Sequence, residues 1–124
     1  MIRVSEKTEQ AHIVQLLRAL GAKVYVLGHG SPNDGRRHRG TGQTPGLPDL
    51  FCFLPPRGDA PRLALWIECK AKGGKVRDEQ RAFAKLCTDA MVDHIVGTLD
   101  DVIGWLIRHG YCGAHQFPSY RVAG

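Results

Sequence analysis

The stretch Gly46 to Gln80 constrains the fold more than any other. It reads Gly46-Leu47-Pro48-Asp49, an apolar run, a turn-rich linker, a second apolar run ending in Glu68-Cys69-Lys70, then Gly73-Gly74 and a helical pattern carrying Gln80. Strand side chains alternate between faces, so within Leu63 to Lys70 the residues Trp66, Glu68 and Lys70 share one face and Leu65, Ile67 and Cys69 the other. Asp49 opens a preceding strand, Asp49 to Leu54. Pro55, Pro56, Gly58, Asp59 and Pro61 are turn formers that fold the two into an antiparallel hairpin. The hairpin can bring Asp49 beside Glu68, although the pairing register is not set by sequence.

Two carboxylates so placed, with the Cys69 backbone carbonyl between them, offer hard oxygen ligands suited to Mg2+ or Mn2+. Such an ion polarises a phosphodiester and lowers the pKa of a bound water. Lys70 is assigned to orienting the attacking water and offsetting charge on the phosphorane. Taken singly these signals are weak. A Glu-x-Lys on a strand is commonly a solvated ion pair of little energetic worth, and a Pro-Asp pair is commonly only a turn. Their conjunction is what carries the reading.

With these motifs in place the sequence resembles the virus-type replication-repair nuclease (VRR-Nuc) domain of the PD-(D/E)XK nuclease superfamily, from about Ser5 to Leu106. The resemblance implies that Asp49 and Glu68 are metal ligands, that Lys70 is the catalytic lysine, and that Gln80 faces the centre from the following helix. It further implies an acid near the start of the first helix with a glutamine four residues on, which matches Glu6 and Gln10. Gln10 would then lie toward the DNA. Glu9, three residues from Glu6 and near the same helical face, is an open alternative for that acid. Where the family carries a Ser, Thr or Asp helix cap, this chain has Arg77 followed by Asp78.

The remaining chain supports an α/β domain with a small mixed sheet flanked by helices in the order α-β-β-β-α-β-α, a restriction-endonuclease-like core. One domain over 1–124 is expected, with its core at about 5–108 and a tail at 109–124. The first helix spans about Ser5 to Leu20. Ile13, Leu16, Leu17 and Leu20 fall on one face, Ser5 stands as cap and Gly21 as terminator. Lys23 to Leu27 reads as a strand. A second helix, about Asp78 to Ala90, is expected to bury Phe83, Leu86, Cys87 and Ala90. His94 to Val96 should return parallel to the lysine strand through a crossover. Thr98 caps a last helix, Leu99 to Arg108, with Asp100 and Asp101 in its first turn.

Between Gly28 and Pro45, Arg36, Arg37, His38 and Arg39 stand just ahead of Asp49. This long connection is read as a DNA-contacting flap that orders on binding. Its glycines do not form a P-loop, since the Gly-Lys-Ser/Thr ending is missing. Lys72, Lys75 and Arg77 extend the basic surface, and the net charge of +5 suits a polyanionic partner. Cys52, Cys69, Cys87 and Cys112 are scattered and read as free thiols. A zinc site from His109, Cys112 and His115 is disfavoured because no Cys-x-x-Cys pair accompanies it. No apolar run spans a membrane, and Met1 to Ser5 lack a signal-peptide core, so a cytoplasmic location is expected.

The expected activity is metal-dependent hydrolysis of DNA phosphodiester bonds, selective for DNA shape because no separate base-reading element is visible. By resemblance, stand-alone members of the family are junction-resolvase-like homodimers, common in phages, acting on branched or Holliday-junction DNA. A sequence-specific restriction-type endonuclease and a non-catalytic DNA-binding module are the competing classes. The first needs recognition elements for which 124 residues leave little room. The second has no need of Asp49, Glu68 and Lys70 together.

Overall fold

The computed structural model describes residues 4–27 and 45–117. Along the chain, α1 (Glu6–Ala19) leads into β1 (Lys23–Val26), β2 (Leu50–Phe53) and β3 (Ala64–Cys69). Then come α2 (Asp78–Asp89), β4 (His94–Gly97), α3 (Leu99–Arg108) and a short 3-10 turn at Ala114–Gln116. The strands form one sheet in the order β1-β2-β3-β4. The first two pairings are antiparallel and the last, between β3 and β4, is parallel. The mixed sheet and the element order agree with the sequence reading.

Local chemistry explains most boundaries. The Ser5 hydroxyl accepts from the Thr8 amide at 3.1 Å, satisfying a donor that a helix start leaves without a partner. Gly21, at φ +94°, reverses the chain after α1 in a conformation that few other residues adopt. At α3 the Thr98 amide donates to Asp101 Oδ2 at 2.8 Å while the Asp101 amide approaches the Thr98 hydroxyl at 3.4 Å, a reciprocal cap that fixes the start at Leu99.

The core lies on one side of the sheet. Leu50, Cys52, Leu65, Ile67 and Cys69 are fully buried there against Ile13 and Leu17 of α1 and Val102 and Leu106 of α3. Burial pushes the Cys52 thiol up to about 12, so it is chemically quiet, and the four cysteines are free. Tyr111 and Cys112 also pack against this core, and the Arg57 guanidinium sits 4.3 Å from the Tyr111 ring centre.

Helix α2 covers part of the opposite face and departs from expectation. Cys87 is buried and Phe83 is half-buried against Trp66, with ring centres 5.3 Å apart. Leu86, however, is 66% exposed, and Ala90 is exposed as well. The apolar stripe of α2 is therefore wider than the surface it meets, and only its Phe83 and Cys87 side is covered.

Candidate active site

Register decides the centre. Leu50 pairs with Ile67, so the next residues outward along the hairpin, Asp49 and Glu68, come side by side. Alternation puts both on the sheet face opposite the core, the face that also carries Trp66. Asp49 is buried and its Oδ2 accepts from the Cys69 amide at 2.9 Å. Glu68 is 5% exposed, and its Oε2 accepts from Gln80 Nε2 at 2.8 Å. Lys70 is buried too, with Nζ 3.5 Å from Glu68 Oε2 and 3.8 Å from Glu6 Oε1.

These contacts shift the protonation of Glu68. Burial first, then the neighbouring Asp49 carboxylate, raise its pKa from 4.5 to about 7, and Lys70 opposes the rise only in part. Among the described residues, no hydrogen-bond donor meets the buried Glu68 Oε1. A buried carboxylate oxygen without a donor costs free energy unless something cationic or protic meets it. That orphan oxygen, together with a second carboxylate beside it, fits a hard divalent cation. Among the described residues, however, no group of three or more His, Cys, Asp or Glu side chains has metal-binding geometry, so an ion would take its other ligands from the Cys69 carbonyl, water and phosphate. The same finding leaves His109, Cys112 and His115 without a metal-binding arrangement.

The two candidate acids of α1 part company here. The half-exposed Glu6 carboxylate reaches toward Lys70. Glu9, only 9% exposed, accepts from the Leu99 amide at 2.8 Å, bracing the start of α3 across 90 residues of sequence. Gln10 is half-buried, and no hydrogen bond among the described residues ties it to the centre. Lys72 and Lys75 are exposed on the loop that leaves β3. Arg36, Arg37 and Arg39 lie outside the described residues, as does most of the connection read as a flap.

Two features escaped sequence reading. Gly46 has φ +88°, and a Cβ there would fall inside contact distance of the Glu79 carbonyl and 2.9 Å from Glu79 Cβ. The chain entering Asp49 is thus seated directly on the first turn of α2, which carries Gln80. The second is the double role of Gln80, whose Oε1 accepts from the Arg77 amide at 2.9 Å while its Nε2 holds Glu68. This explains how α2 starts at Asp78 although Arg77 provides no side-chain cap. The Gly-x-Pro-Asp spacing was the available signal for the first; nothing local signals the second.

Comparison with known families settles the wider identity. The model of the VRR-NUC domain matches residues 37–98, half of the chain, and spans Asp49, Glu68, Lys70 and Gln80. The chain belongs to the VRR-NUC domain family. It is accordingly a nuclease-type domain with DNA as its substrate class. The VRR-NUC match stops short of α1, so Glu6, Glu9 and Gln10 stand outside it. No curated protein and no solved structure matches the chain.

Proposed function

We propose that this VRR-NUC domain is a divalent-metal-dependent endodeoxyribonuclease that cuts branched DNA as a homodimer, in the manner of a Holliday-junction resolvase. The observation that carries the catalytic part is the convergence of Asp49, Glu68 and Lys70, with Glu68 Oε1 met by no hydrogen-bond donor among the described residues.

In this reading Asp49, Glu68 and the Cys69 carbonyl would hold Mg2+ or Mn2+, with Glu6 contributing through water or directly. When bound, the ion would polarise the scissile phosphate and acidify a water. Asp49 is held in place by the Cys69 amide, so its carboxylate needs no reorganisation on binding. Gln80 engages Oε2 of Glu68 and so would leave Oε1 to meet the ion. The Lys70 ammonium, between Glu68 and Glu6, would position the attacking water and offset charge on the pentacovalent phosphorane. Exposed Lys72 and Lys75, with Arg36, Arg37 and Arg39, would bind backbone phosphates and Gln10 would flank the DNA path.

Symmetric cutting of a four-way junction needs two centres, hence a pair of subunits. The exposed apolar residues at the end of α2, Leu86, Met91 (92% exposed) and Val92, support a contact of that kind. The test is incubation with supercoiled plasmid, flap and four-way-junction substrates in Mg2+, Mn2+ or EDTA, beside Asp49→Asn and Lys70→Ala. Metal-dependent junction cleavage lost in both variants is the expected result. A single reproducible plasmid site would indicate a restriction-type enzyme instead, and binding without cleavage a non-catalytic module.

A further inference from the structure

The sheet face that carries Glu68 also carries a row of aromatic rings that phosphodiester cleavage does not require. The outward positions of β1 and β2 are Lys23, Tyr25, Phe51 and Phe53, with no acid among them. Pairing aligns Tyr25 with Phe51 and Phe51 with Trp66. Ring centres lie 6.3 Å apart for Tyr25 and Phe53, 5.1 Å for Phe53 and Phe51, and 4.6 Å for Phe51 and Trp66. Among the described residues, helix α2 closes this row at the Trp66 end, through Phe83. At the other end Tyr25 and Phe53 are 45% and 38% exposed.

Two features indicate what meets these rings. The Lys23 ammonium stands 6.0 Å from the Tyr25 ring centre, so the exposed end of the row pairs aromatic surface with a cation. The row is also continuous with the catalytic face, since Trp66 precedes Glu68 by two residues, about 7 Å along the strand. A strand of nucleic acid presents anionic phosphates and flat bases together. Bases within a duplex are already stacked on one another, so exposed rings select those that are not.

We infer that this face binds unpaired nucleotides of the DNA substrate, stacking bases on Tyr25 and Phe53 while Lys23 meets the intervening phosphate. The inference rests on the nuclease reading and adds to it that the branched substrate is held through bases that are unpaired or unstacked at the branch. Its test can nonetheless be scored separately from cleavage.

Asp49→Asn protein is titrated in EDTA with fluorescein-labelled oligothymidine, an abasic oligomer of equal length, and a blunt duplex, with binding read by anisotropy. Oligothymidine should bind more tightly than the abasic strand. The double change Tyr25→Ala with Phe53→Ala should weaken oligothymidine binding by about tenfold or more and leave the abasic strand and duplex nearly unaffected. The abasic comparison uses intact rings, so it stands even if the double variant folds poorly. Equal affinity of the parent for oligothymidine and abasic strand overturns the inference. So does a double variant that dissociates from dimer to monomer while keeping its oligothymidine affinity, which would make the face an interface between copies. Ring-dependent binding in a protein that cleaves nothing would uphold this inference and sink the catalytic one.

Discussion

Gln80 on α2 donates from Nε2 to Glu68 Oε2 at 2.8 Å, and this bond links the helix after the lysine strand to the carboxylate at the strand's end. The same side chain accepts from the Arg77 amide, so its rotamer is fixed from two sides. Gln80→Ala should release Glu68 to rotate. Losing a partner that orients a metal ligand costs about 10- to 100-fold in metal affinity or activity. That loss should show as a raised Mg2+ requirement in cleavage assays, beside a melting temperature lowered by a few degrees because the Arg77 amide loses its cap.

The raised pKa of Glu68 predicts a pH dependence of stability with a definite sign. The folded state holds the Glu68 proton up to about pH 7, whereas an ordinary glutamate in the unfolded chain releases it near 4.5. Between those limits the native protein binds more protons than the unfolded chain, so unfolding free energy falls as pH rises. In EDTA the protein should therefore lose stability from about pH 4.5 to about 7 through this group, and Glu68→Gln should flatten that part of the profile. A bound cation favours the carboxylate, so Mg2+ should stabilise the parent more at pH 8 than at pH 6 and stabilise Glu68→Gln little at either. Thermal melts across pH, with and without Mg2+, would read both effects.

Gly46→Ala should be more harmful than a surface glycine change ordinarily is. The positive φ already disfavours alanine, and the added methyl would press on the Glu79 backbone. Strain of this type costs roughly 1–3 kcal/mol, which lowers the melting temperature by several degrees or more in a domain of this size. Because the pressure falls on the turn that presents Gln80, cleavage should drop beyond what the lost folded fraction explains. Activity measured well below the melting temperature would separate the two contributions.

How much of this was legible in sequence followed the range of the interaction involved. Asp49 and Glu68 meet through one hairpin, whose turn residues and alternating apolar positions lie in a single stretch, so their proximity was readable and only the register was open. The bounds of α3 were readable because Thr98 and Asp101 form its cap within four residues. Helix α2 was misread at Leu86 and Ala90 because spacing reports which residues share a face, not whether a neighbour covers it. Here Trp66 of β3 receives Phe83 while Leu86 faces outward. The choice between Glu6 and Glu9 was not readable either, since the Leu99 amide that engages Glu9 lies 90 residues away.

That division between the two acids gives the sharpest pair of variants. Glu9 Oε1 caps the start of α3 from a buried position, so Glu9→Ala should leave the Leu99 amide without its partner and destabilise the fold by about 1–2 kcal/mol, as loss of a helix cap does. Glu9→Gln keeps an oxygen acceptor and should recover most of that loss. Glu6 is half-exposed, and its 3.8 Å approach to Lys70 is a partly solvated ion pair, so Glu6→Ala should change stability by less than about 1 kcal/mol. Its effect should fall on cleavage and on the Mg2+ concentration required. If Glu9→Ala instead abolished cleavage at full stability, and Glu6→Ala cut normally, Glu9 and not Glu6 would be the acid serving the ion, and α1 would have to present a different turn to the centre than the one seen here.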